Sequence, residues 1–275
     1  MAYGFSIAEG TARTFWAGTD GTSTYYMGQL VAYTAASKAQ TPGTVVPLAV
    51  AAGAWDTTNF QVIAGIVVGI SDMTQTFDTY SQYATGVVTQ AAQKARQFYN
   101  SGMGLYSAAD PQVLLEIAEI TPNTVIRGPI CETGGKVPTV VTDTAGSATG
   151  YTTAGTTTAC SFTPVANTCS IYCRTGANMG LYRTTNDTST TAPDVTVAFP
   201  NDVAIGDTFV RFSLKQGSSL IQLGATPTGT YIDNTLSGGT TNYFGVFVYT
   251  INAAEAGKEY AEFRFDACHF SNIRS

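Results

Sequence analysis

Apolar and polar side chains alternate along VTVAFPNDVAIGDTFVRFSL, residues 195–214, and a period of two is the mark of a half-buried β-strand. Val195, Val197 and Phe199 share one face of a first arm. Thr208, Val210, Phe212 and Leu214 share one face of a second. Pro200-Asn201-Asp202 and Gly206-Asp207 supply turn chemistry between the arms. Short runs of the same kind recur to the C-terminus: TCSIYC, GLYRTT, SSLIQL, NYFGVFVYTIN and EYAEFRFDACHF, separated by Gly, Pro, Asn and Asp. That cadence predicts a sandwich or barrel. In the last run Ala261, Phe263, Phe265 and Ala267 are expected inward, with Tyr260, Glu262, Arg264 and Asp266 outward.

The first half is also strand-rich. VIAGIVVGI is apolar on both faces, as expected of a strand between layers or in a subunit interface. PQVLLEIAEITPNTVIRGPI reads as two strands joined at Thr121-Pro122-Asn123. In residues 85–99, Val87, Ala91, Ala95 and Phe98 fall at helical spacing before Asn-Ser-Gly, which predicts one short helix. The fold class is therefore mainly β, antiparallel barrel or sandwich domains with one short helix. A Gly/Thr-rich span from Cys131 to Cys160 marks the domain boundary. It divides the chain into an N-terminal β-rich domain with the helix, 1–136, and a C-terminal β-sandwich domain, 137–275.

Only 12% of residues are charged, about half the usual ~25%, and Thr, Ser, Asn, Gln and 28 Gly fill the deficit. With 13 Lys+Arg against 19 Asp+Glu and no basic cluster, nucleic-acid binding is not expected. No apolar run reaches the ~20 residues of a membrane-spanning helix, so no membrane partner is expected. MAYGFSIAEGTARTFW has no basic segment followed by an apolar one, so synthesis in a cytoplasm without export is expected.

Chemistry-bearing groups are sparse. His269 is the single histidine; next to it on a strand Cys268 points to the opposite face, and no G-x-S-x-G is present. The chain is therefore not expected to be an enzyme. Five cysteines cannot all pair within the chain. In CSIYC the two thiols of Cys169 and Cys173 stand ~13 Å apart if extended, beyond the ~7 Å that a disulfide allows between Cα atoms. A zinc set of Cys169, Cys173, Cys268 and His269 matches no common spacing. Asp187, Asp194, Asp202 and Asp207 have oxygen ligands suited to calcium, but each sits where Asp is an ordinary turn residue. No metal and no cofactor are expected.

The run GANMGLYRTTNDTSTTAPDVTVAFPNDVAIGDTFVRFSL resembles segments of head decoration (auxiliary or cement) proteins of tailed bacteriophages. YYMGQLVAY with AAGAWDTTNFQVIAGIVVGI, and SAADPQVLLEIAEITPNTVIRGPI, are similar to other parts of such chains. The resemblance implies a β-rich virion protein, often a homotrimer, bound to the major capsid protein on the outside of the head. Within that reading the aromatic arm of Tyr3, Phe5, Phe15 and Trp16 is the candidate contact with the capsid or a second subunit. Its competing reading is a first strand closing its own domain. Three other classes remain: a tail-fibre or baseplate β module, a carbohydrate-binding or hydrolytic β domain, and a major capsid protein with a long spine helix.

Overall fold

A computed structural model describes residues 4–10, 12–19, 24–33, 44–49, 62–72, 87–89, 113–147, 157–226, 229–235 and 243–270. These are mainly β, built from three sheets and a two-stranded ladder. Strands β2 (Thr14–Thr19), β4 (Leu30–Tyr33), β5 (Thr44–Pro47), β6 (Ile63–Asp72) and β8 (Val113–Glu119) close a barrel in the order β2-β5-β4-β6-β8. Closure leaves the barrel no free edge. Its interior is filled, not open: Ala17, Val31, Val45, Ala64, Val67, Leu115 and Ile117 pack together with Tyr25, whose phenol donates to the Val45 carbonyl at 2.9 Å.

The second sheet has seven strands. β14 (Leu220–Ile221), β17 (Phe244–Asn252), β18 (Tyr260–Phe265), β9 (Val125–Cys131), β16 (Gly229–Asp233) and β15 (Leu223–Thr226) follow in that order, and β1 (Ser6–Glu9) also pairs with β9. This sheet draws on both sides of residue 136, since β1 and β9 precede it and the other five strands follow. The third sheet has the order β10 (Val140–Thr142), β13 (Thr208–Phe212), β11 (Ser170–Cys173), β12 (Tyr182–Thr184). β13 is buried on both faces because both are covered. Val210 and Phe212 join Phe244, Val246, Phe263, Phe265, Leu30 and Ile66 in the largest core, while Phe209 packs with Val141, Ile171 and Val203 on the other side.

Several expectations meet their geometry here. β18 alternates as read: Ala261, Phe263 and Phe265 are buried and Arg264 is exposed. Ala267 departs from it, because the strand gives way to a 3₁₀ turn at Ala267–His269. From Ile63 to Val67, β6 is buried on both faces within the chain itself. Ala64 and Val67 face the barrel interior, and Ile63 and Ile66 face the main core. The strict alternation expected over 62–70 is broken by two register shifts, one at Ala64 and one at Val68. The first arm of residues 195–214 is a correction. Val195 and Phe199 are buried as expected, but Val197 is 61% exposed and only Val195 makes a bridge, to Thr185. Pro193 and Pro200 bracket the segment and cannot donate to a ladder, and Arg183 takes the Val197 carbonyl at 3.1 Å. The helix expected over 85–99 also differs where it is described. Val87–Thr89 is strand β7, paired with β3 (Thr24–Tyr26), and three successive β-branched residues favour that state. Residues 85, 86 and 90–99 lie outside the described residues.

Candidate functional site

The four residues of the aromatic arm have different fates. Tyr3 lies outside the described residues. Phe5 is core: its ring lies over Gly128, where an added Cβ would stand 2.2 Å from it, and meets Phe263 edge-on at 6.2 Å. Its amide donates to the Gly28 carbonyl at 2.7 Å, which pins the start of β1 to the turn before β4. Phe5 thus closes its own fold and has no ring to offer a partner. Phe15 is half-buried, stacked on Tyr33 at 6.3 Å. Trp16 points the other way and is 47% exposed.

Trp16 stands on the outer wall of the barrel. It is opposite Glu116 on β8, which in turn is opposite Gly69 on β6. A Cβ at Gly69 would lie 2.8 Å from the Glu116 carboxylate, so glycine lets that side chain lie across the wall. The bulge at Val68 turns a further apolar side chain outward. Trp16, Glu116 and Val68 therefore form a small exposed face on rigid, closed scaffolding.

A second exposed face lies on the outside of the seven-stranded sheet. Phe247 and Tyr249 on β17 are 43% and 42% exposed, with ring centroids 5.0 Å apart and planes at 66°. Arg264, opposite Phe247, holds its guanidinium 5.9 Å from each ring centre. Further along the same face Arg127 lies 4.3 Å over Tyr260 and donates to Glu262 at 2.6 and 3.1 Å. That hydrogen bond pushes the Arg127 pKa up. Sequence reading marked NYFGVFVYTIN as a short strand and so missed this patch. The readable signal was the outward set of the neighbouring strand, Tyr260, Glu262 and Arg264, which calls for outward partners on β17 as well.

The residues weighed for catalysis and metals are not brought together. His269 is buried between Phe244 and Phe265, at 5.7 and 5.4 Å, and among the described residues its Nε2 has no hydrogen-bond partner. Burial pushes its pKa down, offset in part by Asp266 and the Gly245 carbonyl. Cys173 ends β11 of the four-stranded sheet and Cys169 directly precedes that strand, while Cys268 and His269 lie in the 3₁₀ turn. Burial pushes Cys131 and Cys173 up to about 12, the opposite of an activated thiol. Asp187 pairs with the buried Arg211 at 3.5 Å, and Asp207 accepts from the Ala204 amide at 3.0 Å in a turn. Among the described residues no three His, Cys, Asp or Glu are placed to hold a metal ion. No described helix is long and apolar enough to cross a membrane. Comparison with family models, characterised proteins and solved structures finds no match.

Proposed function

We propose that this chain is a structural protein of a phage virion, a decoration or cement protein seated on the outer surface of the head. The observation that carries this reading is Trp16, exposed with Val68 on the wall of a closed barrel whose interior holds a packed apolar cluster. Tryptophan is the side chain most enriched among residues that dominate binding energy, and a rigid platform avoids the entropy of ordering a loop on contact. The resemblance of the sequence to head decoration proteins supplies the partner, the major capsid protein, and the expectation of a homotrimer. One ring per contact is modest, but a shell offers many equivalent sites. Binding to the assembled lattice in preference to free subunits stabilises that lattice by linkage. No turnover belongs to this role.

The test adds purified chain to undecorated heads and to unassembled capsid subunits, and measures bound protein by co-sedimentation. Saturable binding to heads alone, weakened about tenfold or more by Trp16→Ala, is expected. Equal binding to free subunits, or none to heads, overturns the reading in favour of a tail module.

A further inference from the structure

The outer face of β17 and β18 presents chemistry that a cement role leaves unused. Phe244, Val246, Val248 and Ile251 alternate into the core, yet Phe247 and Tyr249 leave much of their rings in water. Tyr249 is the extra residue of a bulge: Val248 pairs with Phe263 and Thr250 with Glu262, leaving no partner for the residue between. Bulges give up ladder hydrogen bonds to re-aim a side chain, and this one brings Tyr249 edge-on to Phe247. Beside the rings Gly245 leaves a gap, and the Asp266 carboxylate lies across it, 2.6 Å from where a Cβ would stand. Arg264 stands two residues along the same strand face and, among the described residues, forms no ion pair.

We infer that Phe247, Tyr249, Arg264 and Asp266 form a binding site for a neutral hexopyranose unit of an oligosaccharide. A pyranose ring has an apolar C–H face and a rim of hydroxyls that both donate and accept. An exposed aromatic ring matches the first; a guanidinium and a carboxylate at its margin match the second, one as donor and one as acceptor. The size fits as well. Two rings of this exposure offer on the order of 150 Å² of apolar surface. A stable protein interface buries ~800 Å² on each side. Arg264, held over both rings, needs little ordering when a ligand arrives.

The full chain is titrated calorimetrically with cellotetraose, maltotetraose, mannotetraose and chitotetraose at up to millimolar concentration. At least one is expected to bind saturably, with affinity falling about tenfold in Phe247→Ala and in Tyr249→Ala, the scale of one lost stacking contact. Arg264→Lys, which keeps charge but loses the planar fork, should weaken binding less, and Met179→Ala should leave it unchanged. Thermal melts of each variant separate lost binding from lost fold. Binding of none of the four, or binding indifferent to the three site substitutions, overturns the proposal. So does a concentration-dependent dimer that Phe247→Ala dissolves in the absence of sugar binding, which would assign the face to a second copy.

Discussion

At the scale of single residues, His269 makes stability depend on pH. Its pKa is lowered by folding, so below its usual value of 6.5 the unfolded chain binds the proton more readily. The contribution of neutral His269 is fully present above that value and is lost as pH falls through the lowered one. Urea midpoints at about pH 7.5 and about pH 5 should show a fall in the native chain that is smaller in His269→Gln, which cannot titrate. An equal fall in both would place the sensitivity elsewhere. The thiols are expected to be free and slow. Alkylation without reductant should give five labels in denaturant, while Cys131, Cys169 and Cys173, all buried, should resist labelling in the native state. A bridge between Cys169 and Cys173 would contradict β11 as an extended strand. The same scale separates Phe5 from Trp16: both are aromatic and early in the chain, and only the packing of β1 against β9 decides which is core.

At the scale of elements, strand existence was legible in most places where alternation or a continuous apolar run met turn residues, the arm over 195–199 being the exception. β6, β8, β9, β11, β12, β17 and β18 all overlap stretches read as strands. The bulges in β6 and β17 were not legible, because a bulge obeys the partner strand and leaves only a weak local trace. Gly65, next to Ala64, and Gly69, next to Val68, are that trace in β6. A Cβ at Gly65 would lie 2.1 Å from the Ala118 carbonyl of the neighbouring strand, so the two backbones meet there only because glycine has none. Gly65→Ala should cost about 2 kcal/mol or more, read as a lower urea midpoint. Pairing between distant strands was equally hidden, since nothing local marks β9 as the partner of β1, β16 and β18. One ion pair ties two of these sheets together. Arg174, just after β11, bonds Glu259 at 2.6 Å and the Ala253 carbonyl at 2.8 Å, with both side chains largely buried. Glu259→Gln leaves the guanidinium without its counter-charge and should destabilise by about 3 kcal/mol. A loss within experimental error would mean that the guanidinium finds water instead.

At the scale of the whole molecule, a filled barrel, a two-sided sheet and a half-solvated sheet share one core, and two aromatic faces look outward from different parts of it. Trp16 on the barrel wall is proposed to meet the capsid, and Phe247 with Tyr249 a sugar ring. With 12% charged residues and a net charge of −6, capsid contacts should be mainly apolar and hydrogen-bonded. Binding to heads is then expected to fall little between low and physiological salt, and a steep fall would indicate charge-driven attachment. β6 buries Ile63, Ala64, Ile66 and Val67 inside the chain, so its two-sided apolar run is accounted for without a second subunit. The most direct measurement is the temperature at which undecorated heads release their DNA, before and after saturation with the purified chain. A cement protein raises that temperature, with the rise following occupancy and lost when Trp16→Ala fails to bind. Full occupancy with an unchanged release temperature would contradict the stabilising role.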